Sequence, residues 1–208
     1  MPTLLSLGSR ACVVNAELTQ NRNRRLPAQP LDATVVAYLR PWFGSLVEPV
    51  RVVWQARLND RFVLGGEVLA RGSRAQTYGY HIYVAASQGA ADPGSSLQLL
   101  LLAHELVHTE QFVQAGGRVS RFCQAYIQGW EQRGGIYTAN PLEQEAFERT
   151  FALAQWLAEQ FPEAARRDPV LYTHEGEGPQ GRTVMLPRRL PTPATAVVRP
   201  QATPRPRP

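Results

Sequence analysis

The sequence contains no lysine, and all 22 basic residues of the 208-residue chain are arginine. This absence excludes enzymes that form a Schiff base through a lysine and nucleotide-binding proteins that need a P-loop lysine. Only two cysteines are present, Cys12 and Cys123, which is too few for a disulfide-rich secreted fold. They do not form a C-x-x-C pair, and the sequence leaves open whether they are free thiols or a single disulfide.

Long apolar runs are also missing, because no segment reaches the roughly 18 apolar residues that a membrane span requires. The N-terminal segment Met1–Leu18 has no basic stretch ahead of its apolar residues, which are themselves interrupted at Gly8–Arg10. No signal peptide is therefore predicted. We expect no membrane span, and either a cytoplasmic protein or one exported by an injection system or another non-classical route.

The formal net charge of +5 belongs to one end of the chain. The segment from Gly178 to the C-terminus holds six arginines, eight prolines and no acidic residue, whereas residues 1–177 hold 16 arginines and all 17 acidic residues. The basic segment has no aromatic residue on which a base could stack. We therefore expect no specific nucleic-acid binding, and at most weak, salt-sensitive contacts.

Helix and strand signals predict one α+β domain between two irregular ends. Residues 1–30 are interpreted as a loosely ordered leader, residues 31–170 as the folded domain, and residues 171–208 as a disordered Pro/Arg-rich basic tail that begins near a solvated His174. The predicted elements are a short helix at 32–41, strands at 50–56, 62–64, 68–69 and 75–85 with a turn at Gly65-Gly66, and helices at 96–115, 119–129 and 141–160.

The predicted helix at 96–115 contains His104-Glu105-Leu106-Val107-His108, an H-E-x-x-H motif. Side chains four positions apart share one face of a helix, so both imidazoles can bind one zinc ion while Glu105 reaches a nearby water. The helix is apolar on nearly all sides, and a metal ion offsets the cost of burying two histidines and a glutamate. The alternative is a pair of core histidines with hydrogen-bonded partners.

A catalytic zinc site usually has three protein ligands, so a third ligand is needed. The predicted helix at 141–160 offers Glu143, near the centre of its apolar face, and Glu145 on the opposite side. Only one of them can reach the metal because positions i and i+2 face different directions, and we predict Glu143. Asn140 and Glu143 also fit a capping box, which would leave Glu145 or another residue as the ligand.

Several segments of the sequence together resemble the bacterial eCIS core domain family. The similar segments are Leu39–Gly44, Val50–Val52, Thr77–Gly79, Ile82–Val84 and Leu99–His108 with Gln111. The segment Asn140–Ala146 is similar to the downstream glutamate segment of gluzincin-type peptidases. The resemblance extends over about Leu31–Leu157.

The resemblance implies a zincin-like fold, in which a small, twisted, mostly antiparallel sheet packs on the H-E-x-x-H helix and a following helix carries the third ligand. It also implies a zinc metallopeptidase that acts on a peptide or protein substrate and is linked to contractile-injection or toxin systems. In gluzincins, an aspartate four residues after the ligand glutamate commonly binds the first histidine. Phe147 stands at that position here, so Glu110 or a backbone carbonyl is expected to orient the histidine instead.

The predicted reaction is hydrolysis of a peptide bond by water. Zinc held by His104, His108 and Glu143 would lower the pKa of a water molecule, and Glu105 would take its proton as general base and pass it to the leaving amine. An alternative function is a non-catalytic zincin-like module that binds or packages cargo around a structural zinc. The candidate donors to the developing oxyanion are His81, Tyr126 and Tyr137.

Overall fold

The structure, a computed structural model, describes residues 4–59, 62–64, 67–70, 73–174 and 181–193. These residues form α-helices and small β-sheets, which confirms the predicted α+β class. The helices are α1 (Leu4–Asn23), α2 (Ala33–Phe43), α3 (Ser96–Gln114), α4 (Val119–Gln132), α5 (Pro141–Gln160) and α6 (Pro162–Arg167). The strands are β1 (Gln29–Pro30), β2 (Arg51–Ala56), β3 (Phe62–Leu64), β4 (Glu67–Ala70), β5 (Ala75–Tyr78), β6 (His81–Ala85), β7 (Pro169–Thr173) and β8 (Thr183–Pro187).

The largest sheet has four strands in the order β1-β2-β6-β5. It is mixed, because β2 and β6 are parallel while the β1–β2 and β5–β6 pairs are antiparallel. Strands β3 and β4 form one separate hairpin, and β7 and β8 form another. Strand β5 therefore lies at an edge of the main sheet, beside the H-E-x-x-H helix α3.

The prediction of one continuous strand over residues 75–85 is wrong, because the chain reverses within it. Tyr78 pairs with His81, and Gly79 and Tyr80 form the two-residue turn between β5 and β6. Gly79 has a φ of +67°, which suits the first central position of a type II′ hairpin turn. The aromatic alternation on either side of this glycine concealed the turn.

Helix α3 lies between the main sheet and α5, and their apolar side chains form the core. Helix α3 begins after the N-cap Ser95, and the chain leaves the helix through Gly116 and Gly117, which lie in the left-handed region. Helix α5 begins at Asn140, whose Oδ1 accepts a hydrogen bond from the Leu142 amide at 3.2 Å. Fully buried core side chains include Ile82, Val84, Leu99, Leu106, Leu153 and Leu157.

The N-terminal segment differs from the predicted loosely ordered leader, because residues 4–23 form helix α1 and pack on α4. A disulfide between Cys12 and Cys123 joins these two helices, which decides the pairing that the sequence left open. The inward side of α1 is mostly polar, so no helical period of apolar residues marked it. The sequence pattern consequently gave no sign of a packed helix.

The predicted disordered tail also begins later than expected. Strands β7 and β8 pack on α5 and α6, and Leu186 is fully buried. The Tyr38 hydroxyl donates a hydrogen bond to the Pro191 carbonyl at 2.5 Å, and Arg188 pairs with Asp168 at 3.0 Å. His174 is buried rather than solvated. Residues 175–180 and 194–208 lie outside the described residues, as does the predicted turn at Gly65-Gly66.

Helix boundaries differ from the predictions in three smaller ways. Helix α2 continues past Pro41 to Phe43, α4 extends three residues beyond Gly129 to Gln132, and α6 was not predicted.

In the part of the chain that the structure describes, no helix combines the length and the apolar character needed to cross a membrane.

Candidate metal site

Three side chains from two helices converge inside the domain. His104 and His108 come from successive turns of α3, and Glu143 comes from the first turn of α5. The two histidine Nε2 atoms are 3.2 Å apart, and Glu143 Oε2 lies 3.3 Å from that of His104 and 3.4 Å from that of His108. The structure thus brings together the three residues that the sequence predicted as ligands.

This triangle of atoms has the dimensions of a zinc site. Zinc binds histidine nitrogen and carboxylate oxygen at about 2.0–2.2 Å in tetrahedral geometry, which separates neighbouring ligand atoms by about 3.3–3.5 Å. The three observed separations of 3.2–3.4 Å agree with that spacing. One carboxylate and two imidazoles are also a ligand set that catalytic zinc uses, with a fourth position for water. The residues present therefore fit the ion.

Two tyrosines hold the Glu143 carboxylate in place. The Tyr126 hydroxyl donates a hydrogen bond to Oε1 at 2.6 Å, and the Tyr137 hydroxyl donates one to Oε2 at 2.8 Å. The Asn140 amide donates to the Tyr137 carbonyl, so the alternative in which Glu143 completes a capping box with Asn140 is wrong. Asn140 still caps α5 with its own side chain.

Gln111 links His108 to the start of α5. Its Oε1 lies 2.9 Å from His108 Nδ1, and its Nε2 donates to the Leu142 carbonyl and to Glu145 Oε2, each at 2.9 Å. A hydrogen bond to the far nitrogen of a metal-binding histidine fixes the orientation of the ring. Glu145, the alternative third ligand, thus contacts Gln111 and not the two histidines.

Glu110 does not orient a histidine as the sequence suggested, because its Oε2 accepts a hydrogen bond from Arg149 at 2.5 Å. Phe147, which occupies the position of the gluzincin aspartate, packs against His104 with ring centroids 5.0 Å apart. An apolar ring therefore contacts His104 at the place where a carboxylate was expected. Gln111, on the same face of α3 as His108, is the orienting residue that sequence reasoning missed.

Glu105, the predicted general base, is buried and held by the edge strand. The Thr77 hydroxyl of β5 donates a hydrogen bond to Glu105 Oε2 at 2.5 Å. Thr77 was not predicted as a site residue, because its contact with α3 depends on how the sheet packs and not on any local motif. Strand β5 thus positions the carboxylate of Glu105, which lies on α3 with His104 and His108.

The charges within the site favour a cation between the histidines. Burial disfavours the protonated form of His108, but the Glu143 carboxylate, with smaller contributions from Glu105 and Gln111, outweighs this and raises the pKa of His108 to about 9. Burial also opposes ionisation of Glu143, yet the two histidines hold the pKa of that carboxyl well below its usual range. The carboxylate is accordingly charged and ready to bind a cation.

The two tyrosines remain hydrogen-bond donors at neutral pH. Burial, followed by the negative charge of Glu143, raises the pKa of Tyr126 and of Tyr137 well above 10. Tyr137 is 43% exposed although its hydroxyl points inward to Glu143. His81, the third predicted donor, is exposed and stacks on Tyr83, and it is not among the described residues that line the site cavity.

A cavity of about 120 Å³ opens beside the three converging side chains. Five helices and strands form its walls, namely α1, β5, α3, α4 and α5. The residues facing it include Cys12, Asn15, Thr77, Glu105, His108 and Glu143. The predicted base and two of the predicted ligands therefore line the same cavity as the edge strand of the sheet.

Comparison with known families agrees with the motif in α3. Residues 30–116 match the eCIS core domain family. The matched segment contains α2, strands β2 to β6 and α3 with His104, Glu105 and His108, whereas Glu143 lies beyond it. The predicted resemblance is confirmed over these residues, and its extension to Leu157 stays a prediction. No curated protein and no solved structure matches the chain, so the zincin-like and gluzincin likenesses also stay predictions.

Proposed function

We propose that this chain is a zinc-dependent metallopeptidase. The observation that carries the proposal is the convergence of His104, His108 and Glu143 at zinc-like separations, with the buried Glu105 in the same cavity. Catalytic zinc sites of this ligand type need a general base beside them, and the H-E-x-x-H spacing supplies one. The eCIS core domain supports a link to an injection system as the setting in which the peptidase acts.

The edge strand suits a peptide substrate. Among the described residues β5 pairs with no strand other than β6, so its other side can pair with an extended peptide through backbone hydrogen bonds. Thr77 lies on this strand and contacts Glu105, which brings the paired peptide next to the base. The substrate class we propose is therefore an unfolded or extended segment of protein.

Different side chains act in the individual steps of the proposed hydrolysis. A bound zinc would supply Lewis-acid polarisation of the scissile carbonyl and would make a water more acidic. Glu105 accepts the proton of the attacking water and returns it to the amine as the C–N bond breaks. Tyr137 is the donor best placed for the oxyanion, because its ring reaches the surface and its single hydroxyl proton can turn from Glu143 Oε2 to the oxyanion as negative charge develops there. Tyr126 positions Glu143 from the other side.

The test is cleavage of a denatured protein, such as carboxymethylated casein, by zinc-loaded wild type and by zinc-loaded Glu105→Gln, each with the Cys12–Cys123 disulfide reduced. We expect the wild type to cleave and the variant to retain zinc but lose at least 100-fold in rate, because it has no base. Glu110→Gln is the matched control, since Glu110 lies on the same helix and pairs with Arg149 outside the cavity. Its rate should stay within threefold of wild type.

The opposite result would support the alternative, a non-catalytic module with a structural zinc. That result is a protein that binds one zinc yet cleaves nothing, both as the wild type and as a Cys12→Ser/Cys123→Ser variant. Equal cleavage by wild type and Glu105→Gln would also contradict the proposal, because the activity would then come from a contaminant or another group.

A further inference from the structure

Helix α1 forms a wall of the cavity beside the candidate metal site, although it lies outside the segment that matches the eCIS core domain family. Cys12 and Asn15 of α1 line the cavity together with Glu105, His108 and Glu143. The helix also lies along the edge strand: the Asn15 amide donates to the Tyr78 hydroxyl at 2.7 Å, and the Thr19 hydroxyl to Gln76 Oε1 at 3.2 Å. Both acceptors belong to β5, where a peptide substrate is expected to bind.

The cavity beside α1 is too small for such a substrate, and Glu105 is buried at its wall. It measures about 120 Å³, whereas pockets that hold drug-sized ligands measure about 300–1,000 Å³. A peptide that pairs along β5 needs still more room. Access of a protein segment to Glu105 therefore requires a wall to move.

The contacts of α1 allow this helix to separate from the rest of the domain. Three of its buried residues, Asn15, Thr19 and Asn23, are held by hydrogen bonds, and the small Ala16 adds a buried apolar contact in a cluster with Tyr78. The larger apolar residues Leu7, Val14 and Leu18 are exposed. A helix fixed by the hydrophobic effect has the reverse arrangement. Water can replace the hydrogen bonds of the inward side, so their loss costs less than exposing an apolar face.

One covalent bond holds α1 against α4. Cys12 of α1 is joined to Cys123 of α4, which is fully buried, whereas Cys12 is partly exposed and lines the cavity. We propose that α1 is a cover over the candidate peptidase site and that the Cys12–Cys123 disulfide is the reducible lock that keeps it closed. The consequence for cleavage rests on the proposed function, but the opening of the cover does not.

The unlocking step is thiol–disulfide exchange with a dithiol or two small thiols. The attacking thiolate forms a bond to the Cys12 sulfur, and the Cys12–Cys123 bond breaks with Cys123 leaving as a thiolate. A second thiol then releases Cys12, so two protein thiols and one reductant disulfide result, with two electrons and two protons transferred. Disulfides persist in oxidising compartments and are reduced in a cytosol. The site would thus be covered outside a cell and open inside one.

The experiment uses the full chain without metal and without substrate, in the presence and absence of dithiothreitol. The chain has no cysteine besides these two, so the reductant has a single target. Hydrogen exchange of α1 amides should rise at least tenfold on reduction while α3 and α5 stay protected. Modification of His104 and His108 by diethyl pyrocarbonate should also accelerate at least tenfold, with the exposed His81 as an unchanged internal reference.

Two results would overturn the proposal. In one, α1 exchange and histidine modification do not change on reduction, so the disulfide locks nothing. In the other, α3 and α5 lose protection together with α1, so the disulfide stabilises the whole fold and is not a lock. Neither readout depends on peptide cleavage. A protein that cleaves nothing but whose α1 opens on reduction would therefore contradict the proposed peptidase activity and still support α1 as a cover.

A second pair of variants tests the cover with the disulfide intact. Asn15→Ala removes the hydrogen bond to Tyr78 and should accelerate modification of His108 threefold or more in the oxidised protein. Val14→Ala alters the neighbouring, exposed position and should not change it. Equal modification rates in the two variants would contradict a role for α1 in closing the cavity.

Discussion

Gln111 Oε1 lies 2.9 Å from the Nδ1 atom of His108, on the side of the imidazole that faces away from Glu143. The amide of the same glutamine reaches the Leu142 carbonyl, one residue before Glu143. A single side chain therefore fixes both the ring of one candidate ligand and the helix that carries another. This geometry makes Gln111 a positioning residue of the candidate metal site.

Gln111→Leu should weaken zinc binding by about 10–100-fold, because the His108 ring loses the hydrogen bond that orients it. Gln114→Leu is the matched control, since Gln114 ends the same helix and is exposed. Competition titration with a chromophoric chelator measures both affinities. An affinity for Gln111→Leu within twofold of the control would show that the contact does not position the ligand.

Thr77→Val should lower turnover about tenfold or more without loss of zinc, because Glu105 would lose the hydroxyl that holds its carboxylate. Thr77→Ser keeps the hydroxyl and should restore most of the rate. The measurement is the cleavage rate at saturating substrate, together with zinc content. Equal turnover of the valine and serine variants would refute a positioning role for the hydroxyl.

Gly129→Ala should destabilise the fold by about 1–3 kcal/mol. A Cβ at this position of α4 would lie 2.7 Å from Asn140 Oδ1 and 3.2 Å from Pro141 Cδ, so it would displace the N-cap of α5. The clash outweighs the gain of about 1 kcal/mol that alanine normally brings to a helix. Denaturant unfolding measures the change.

Gln128→Ala, at an exposed neighbouring position of α4, should leave the unfolding free energy within about 0.5 kcal/mol of wild type. If Gly129→Ala is at least as stable as Gln128→Ala, the close approach of α4 to Asn140 does not require a glycine at position 129.

The parts of the site that follow from local signals could be predicted from the sequence. The H-E-x-x-H spacing and the Ser95 cap locate the two histidines on α3, and the Asn140-Pro141 start of α5 sets the phase that turns Glu143 inward. Gln111 was not predicted to orient a histidine, although it lies three residues after His108 on the same face, where helical spacing allows the contact.

Other parts depend on contacts between distant segments and have no local signature. Thr77 meets Glu105 only because β5 packs beside α3, and the disulfide joins cysteines 111 positions apart. Helix α1 and the strands β7 and β8 escaped prediction for a similar reason. The inward side of α1 is mostly polar, so its sequence shows no apolar helical period. The sequence around Leu186 is rich in proline and arginine, which is typical of a disordered tail, and its packing on α5 and α6 has no local signal.

We propose that His104, His108 and Glu143 bind one zinc ion. Zinc content per chain, measured by mass spectrometry after dialysis against metal-free buffer, tests it most directly when wild type is compared with Glu143→Gln and Glu145→Gln. We expect one zinc per chain in wild type and in Glu145→Gln, and less than a tenth of that in Glu143→Gln. Zinc retained by Glu143→Gln and lost from Glu145→Gln would contradict it.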